Sequence, residues 1–304
     1  MNGGAVLAST SVGHHGGSAF AWGLDLLHDL PVLIAAFVAA AWYVRSARRL
    51  DRDGGRPRWP ARYSWYFLSG LVLALLVTSG PIAYAAMSTF SMHMVQHIVL
   101  MMLAAPLLVM GAPVLLALRT ASPERRRTTL VPILRSRTFS IITNPVLSWV
   151  AFAAVLVGMH FTPAMSILMD LAPLGHYAEY VLYLGVAMCF YYTLLPGNPA
   201  RNRPDPAMAV VSLFLMMIPE TMTGFFIYSA GAPLYPYFAD LAAGSVSDAL
   251  ADQRLGGALM WSASMIIDVA WIVVAVHHWF GTEVAKTRRF DAQLERERAH
   301  GVGT

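Results

Sequence analysis

Charge is what this sequence lacks first. Only 12% of its 304 residues are Asp, Glu, Lys or Arg, where a soluble domain would carry about a quarter. None lies between Arg62 and Arg119, and none between Arg137 and Asp170. Stretches of that length leave no side for water, which excludes an ordinary soluble domain and points to the membrane. Cysteine is nearly missing as well. The lone Cys189 cannot close an intrachain disulfide, and it has no CxxC or CxxxC partner for a thiolate metal site. No GxxxxGK loop and no serine nucleophile elbow occurs, so nucleotide-driven and serine-hydrolase chemistry are not expected, and neither is an enzyme of any other class. The opening residues, MNGGAVLASTSVGHHGG, hold no basic stretch ahead of an apolar one, so no cleaved leader is expected and the first span acts as the internal signal. The period-two alternation of a membrane barrel is absent too.

What remains is apolar sequence in helix-sized pieces. Seven segments approach the ~20 residues needed to cross the hydrocarbon: 24–44, 65–87, 92–118, 146–168, 176–196, 207–229 and 256–280. The predicted fold is all-α, a polytopic membrane protein built as a seven-transmembrane helix bundle. Its connections carry the orientation. Residues 45–62 hold seven arginines and 119–137 hold six, and Arg201, Arg203 and the five basic residues of the tail bring one side to 20 of 21. The positive-inside rule makes that side cytoplasmic. The N-terminus is then outside and the C-terminus in the cytoplasm. Residues 1–23 form an extracytoplasmic segment, 24–280 the transmembrane domain and 281–304 a charged cytoplasmic tail. A net charge of +4 does not call for nucleic acid, because the basic residues flank spans, where they face anionic lipid. The first and last segments share no charge or proline pattern, so an inverted-repeat transporter is not favoured.

With orientation set, depth follows from the helix rise of about 1.5 Å per residue. The unusual polar residues gather in the outer half. Asp25 and His28 begin span 1. His93 and His97 open span 3, at i and i+4 on one helix face. His160 lies in span 4, His176 and Glu179 open span 5 at i and i+3, Glu220 is in span 6 and Asp268 in span 7. A charge inside the bilayer is costly, so Glu220 and Asp268 must face protein, water or a partner. Imidazole is the commonest metal ligand and suits copper, zinc, iron and nickel. Thioethers favour Cu(I), which makes Met94 and Met222 possible soft ligands beside Met92, Met101, Met102 and Met260. Most of the 17 methionines are packing residues on this view, and His277 and His278 beside Trp279 read as an interfacial anchor. Pro81, Pro106, Pro113, Pro163 and Pro219 each free a carbonyl inside a span, and a kink at Pro163 would re-aim His160.

The stretch FSMHMVQHIVLMMLAAPLLVMGAPVLLALR, followed by His160 in MHFTP, His176 in HYAEY, then LYPYF and DQRLGGALMW with Asp252, Gln253, Gly256, Gly257 and Trp261, resembles the multi-span assembly factors of caa-type cytochrome c oxidase. The likeness runs over roughly residues 20–280. It implies a bacterial plasma-membrane protein needed to build a haem-copper oxidase, with copper handled or delivered at the outer face. Oxidase subunits, other copper chaperones and membrane lipid are the implied partners. By position it matches His93, His97, His160 and His176. His28 is added from its depth, and Glu179, Glu220, Asp268 and Asp25 as acidic neighbours. Three other readings stay open: b-type haem held by facing histidines of spans 1 and 3 or 3 and 4, a cofactor-free scaffold for oxidase subunits, and a proton-coupled transporter relaying through Glu220 and Asp268.

Overall fold

The computed structural model describes residues 19–52, 57–242 and 245–301, without the side chains of 19–28, 294, 295 and 297–301. Lipid offers no hydrogen bonds, so apolar chain satisfies its backbone as helix, and the described residues hold no strand. Helix α1 (Ala19–Arg52) is followed by α2 (Ala61–Thr78) and α3 (Gly80–Ser88). Next come α4 (Phe90–Ile98), a π-helical turn (Val99–Ala104), α5 (Ala105–Met110) and α6 (Pro113–Thr120). Short helices α7 (Pro123–Arg125), α8 (Val131–Arg135) and α9 (Arg137–Ile142) lead to α10 (Pro145–Phe161). That helix bends by 72° into α11 (Ala164–Asp170). The chain ends with α12 (Leu174–Leu194), α13 (Pro206–Ser229), α14 (Pro236–Leu241) and the long α15 (Val246–Gly301).

Five described stretches are long and apolar enough to cross a membrane: Asp29–Arg52, Ala61–Thr78, Phe90–Thr120, Pro206–Ser229 and Val246–Gln293. The bent pair α10 and α11 makes six. This is a multi-pass, all-α membrane protein. Helix α12 is 21 residues long but stands outside that set, because His176, Glu179 and five tyrosines dilute it. The expected span 65–87 is in fact two helices. Its apolar run is unbroken, yet α2 ends at Thr78, Ser79 is extended, and Gly80 opens α3 with a left-handed φ of +69°. The expected tail, 281–304, continues α15 as helix as far as Gly301.

The span Phe90–Thr120 is the bundle's centre. Of its most apolar window 67% is buried, against 22–33% in the other four. Its prolines and their neighbours show why it stays intact. A proline cannot donate to the carbonyl four residues before it, and three such carbonyls are met by side chains from elsewhere. Gln96 Nε2–H donates to Val77 O, below Pro81. Trp271 Nε1–H donates to Met102 O at 2.7 Å, below Pro106. Asn198 Nδ2–H donates to Val109 O at 2.7 Å, below Pro113. The breaks therefore double as tie points between spans, and the low-dielectric surroundings make each bond count.

Helix ends are clipped in the same manner. Asp252 of α15 accepts from the backbone N–H of Phe90 at 2.6 Å and of Ser91 at 3.3 Å, capping α4 from another helix. Gln253 accepts from Leu234 N–H at 2.6 Å and donates to Ile227 O at 3.3 Å, holding the end of α13. Asp29 accepts from Gly80 N–H at 2.6 Å, anchoring α3 to α1. We expect Asp252→Ala to cost about 1–2 kcal/mol, the upper range for losing a helix cap, while Asp252→Asn retains most of it. Thermal unfolding of detergent-purified protein tests this, and an unchanged midpoint in the alanine variant would show that α4 needs no cap.

Candidate metal centre

The cap at Asp252 fixes the start of α4, and one turn along that helix stand His93 and His97. Helix α12 brings His176 and Glu179, one turn apart, to face them. His93 Nε2 lies 3.4 Å and His97 Nε2 3.2 Å from the same carboxylate oxygen, Glu179 Oε1. The two imidazole centroids are 4.1 Å apart. One ligand atom from each of the three residues falls within 4.8 Å of the other two. Burial is nearly total: Glu179 is 0%, His93 1% and His97 5% exposed. The ring of Tyr183 stands 4.2 Å from that of His97, and Phe238 stands 5.5 Å from His93, so aromatic walls enclose the cluster.

Helix α10 brings a fourth imidazole near. His160 sits just before the bend, and its ring centroid is 6.0 Å from that of His97. Its Nδ1–H donates to Leu156 O at 2.6 Å. That bond fixes the tautomer and leaves the Nε2 lone pair free, the arrangement in which histidine ligates metal.

Do these residues suit a metal ion? His93 Nε2, His97 Nδ1, His160 Nε2, His176 Nε2 and Glu179 Oε2 are all buried without a hydrogen-bond partner. An orphaned buried polar atom costs about 1–3 kcal/mol, so this many in neighbouring side chains call for partners. A tetrahedral ion with bonds of about 2.1 Å sets its ligand atoms about 3.4 Å apart. The 3.2 Å and 3.4 Å separations match that spacing. Two imidazoles and one carboxylate suit a first-row transition ion. The donor set fits.

Comparison with known proteins decides the family. Residues 41–282 match the family of cytochrome c oxidase caa3 assembly factors. The chain belongs to that family. It is 29% identical over 253 residues to uncharacterised proteins of Mycobacterium bovis and Mycobacterium tuberculosis, covering 81% of this chain and 38% of each relative. A relative in Mycobacterium leprae, also uncharacterised, is 26% identical over 251 residues, covering 80% of this chain and 38% of its own. The chain thus spans well under half the length of these curated relatives. No solved structure matches it.

The assembly-factor match includes His93, His97, His160, His176 and Glu179, and begins after Asp25 and His28. Those last two also lie outside the residues whose side chains are described. Glu220 and Asp268 do not join Glu179. Their carboxyls neighbour each other between α13 and α15, each 2% exposed. The two soft candidates part company. Met94 is 1% exposed and borders a cavity with His97, whereas Met222 is 44% exposed and lines a separate outward groove with Val157, Phe161 and Pro219. Asp252 and Gln253 are the clips described above. Gly257 lies against α13, and Trp261 packs edge-on to Phe225 at 5.9 Å. Tyr183 was missed by sequence analysis, although its place four residues after Glu179 sets it on the same helix face.

Proposed function

We propose that this assembly factor holds copper at His93, His97 and Glu179 and hands it to a haem-copper oxidase during assembly. One observation carries the reading: two imidazole nitrogens and a carboxylate oxygen meet, fully buried, at metal-ligand spacing. Charge favours the monovalent ion. Two neutral imidazoles and one carboxylate around Cu(I) sum to zero, the least costly total in a low-dielectric interior. His160 and His176 stand ready beside the trio with free nitrogens, which suits a site that passes its ion along. Seven spans, with the N-terminus outside, would put the cluster in the outer leaflet of a bacterial plasma membrane. There an oxidase subunit or a second copper chaperone could receive the ion. This layout rests on the charge asymmetry of the connections together with α12 taken as a span. The haem alternative finds no support: the cavity beside the imidazoles measures about 20 Å³, room for one water-sized body and not for a porphyrin.

The test is metal content and optical absorption of one detergent-purified sample, beside a His93→Ala, His97→Ala variant. We expect about one equivalent of copper or more in the wild type, with loss from this cluster in the variant. Equal background metal in both samples would sink the copper reading and favour a cofactor-free scaffold. A Soret band would replace it with haem.

A further inference from the structure

Beside the histidine cluster lies a cavity that extends away from Glu179 and is lined by other donors. It is bordered by His97 and His160 on one side and by Glu220 and Ser264 on the other. Between them stand Met94, Met101, Met102 and Met260, each 1–4% exposed. The sequence places Met101 and Met102 side by side, and the π-helical turn Val99–Ala104 brings both to the cavity wall. Turns of this kind recur at functional sites. Methionine often fills a core, but here four methionines, with Ile98, Phe152 and Leu156, line a gap rather than closing it. The gap also has unsatisfied polar atoms at both ends. His160 Nε2 and Glu220 Oε2 are buried without a partner. Asp268, the neighbour of Glu220, has Oδ2 unpartnered as well.

We propose that this cavity is a second station for monovalent copper, held by the thioethers of Met94, Met101, Met102 and Met260 and joined to the imidazole site through His97 and His160. The inference rests on the copper reading above and adds a separate site with different donors. Thioether sulfur is soft and neutral, so it selects Cu(I) over harder ions and binds it without a charge of its own. One negative charge shared by the adjoining Glu220 and Asp268 carboxyls offsets that of an ion placed there. A cavity of about 20 Å³ admits an unhydrated ion and excludes a hydrated one, so the ion enters it stripped of water. Moving between stations transfers no electrons. One set of Cu–N and Cu–O bonds is exchanged for Cu–S bonds, and His97 and His160 border both places.

The test uses the full chain in detergent, loaded anaerobically with excess Cu(I), washed, and studied by copper K-edge X-ray absorption. The wild type should show sulfur scatterers beside nitrogen and oxygen. Replacing all four methionines by leucine, which nearly conserves volume, should remove the sulfur signal and about one equivalent of copper, and leave the nitrogen shell. His93→Ala, His97→Ala should do the reverse, keeping sulfur and losing nitrogen. Wild-type copper with nitrogen and oxygen neighbours alone overturns the second station and spares the first. A sulfur shell that survives the fourfold change also overturns it, pointing to another sulfur such as Cys189. A wild type that binds no copper overturns both readings. If the fourfold variant does not fold, Met101→Leu, Met102→Leu reads the same loss, and the wild-type spectrum decides by itself.

Discussion

Glu179→Gln lowers copper affinity on the order of 100-fold or more while the protein keeps its fold. The substitution is nearly isosteric and leaves an oxygen where Oε1 stood. It removes the negative charge that lies 3.2 Å and 3.4 Å from the two imidazole nitrogens. Breaking a buried charge pair by neutralising one partner costs about 3–5 kcal/mol, and each 1.4 kcal/mol is about tenfold in a binding constant. Stability without metal responds differently. The amide oxygen still accepts from an imidazole N–H, so apo protein loses only the difference between a charged and a neutral hydrogen bond, about 1 kcal/mol. Glu179→Leu removes both roles at once. It leaves His97 Nε2 without its acceptor beside an already unpartnered His93 Nε2, and we expect that variant to be poorly folded with or without copper. Competition against a Cu(I) chelator, with thermal unfolding of the same samples, separates the effects. If Glu179→Gln held copper within a few-fold of wild type, Glu179 would be a structural acceptor for His97 and not a ligand.

The centre was half legible in the sequence, and the halves differ for a physical reason. His93 and His97 share one helix, so their spacing alone sets them on one face. The same holds for His176 and Glu179. That the two pairs meet depends on α12 packing against the Phe90–Thr120 span, and helix adjacency leaves no mark in either segment. Met94 and Met222 were equal candidates by composition. They differ because one side chain turns into the bundle and the other out of it. The prolines could be seen to free carbonyls, but not what would meet them. Trp271 stands 169 residues from Met102, and no local pattern joins the two. The run 65–87 looked like one span because every residue in it suits a membrane helix. Its break depends on Gly80 being free to take a positive φ, which glycine permits and does not require.

A large loss of stability remote from any ligand should come from one added methyl group. Helices α13 and α15 touch backbone to backbone where Gly224 meets Gly257. A Cβ on Gly257 would lie 2.6 Å from Tyr228 N and 2.8 Å from Gly224 O, and one on Gly224 would lie 2.8 Å from Trp261 N. These obstacles are main chain in regular helix and cannot swing aside, so the helices must separate. Such small-residue contacts drive helix association in membranes, where lipid removes the hydrophobic incentive. We expect Gly257→Ala to cost about 1–3 kcal/mol, the usual range for overpacking. Gly257→Ala with Gly224→Ala should cost less than the sum, since one displacement accommodates both. Gly158→Ala and Gly185→Ala meet nothing within 4 Å, and as helical replacements should be neutral or stabilising by up to about 1 kcal/mol. Unfolding midpoints of the variants in detergent give the comparison, and equal midpoints for Gly257→Ala and Gly185→Ala would refute the close contact. The effect should also reach the metal centre. Helix α15 carries Asp252, whose carboxylate caps the helix bearing His93 and His97. Moving α15 loosens that cap, so Gly257→Ala should weaken copper binding although no atom of residue 257 touches a ligand.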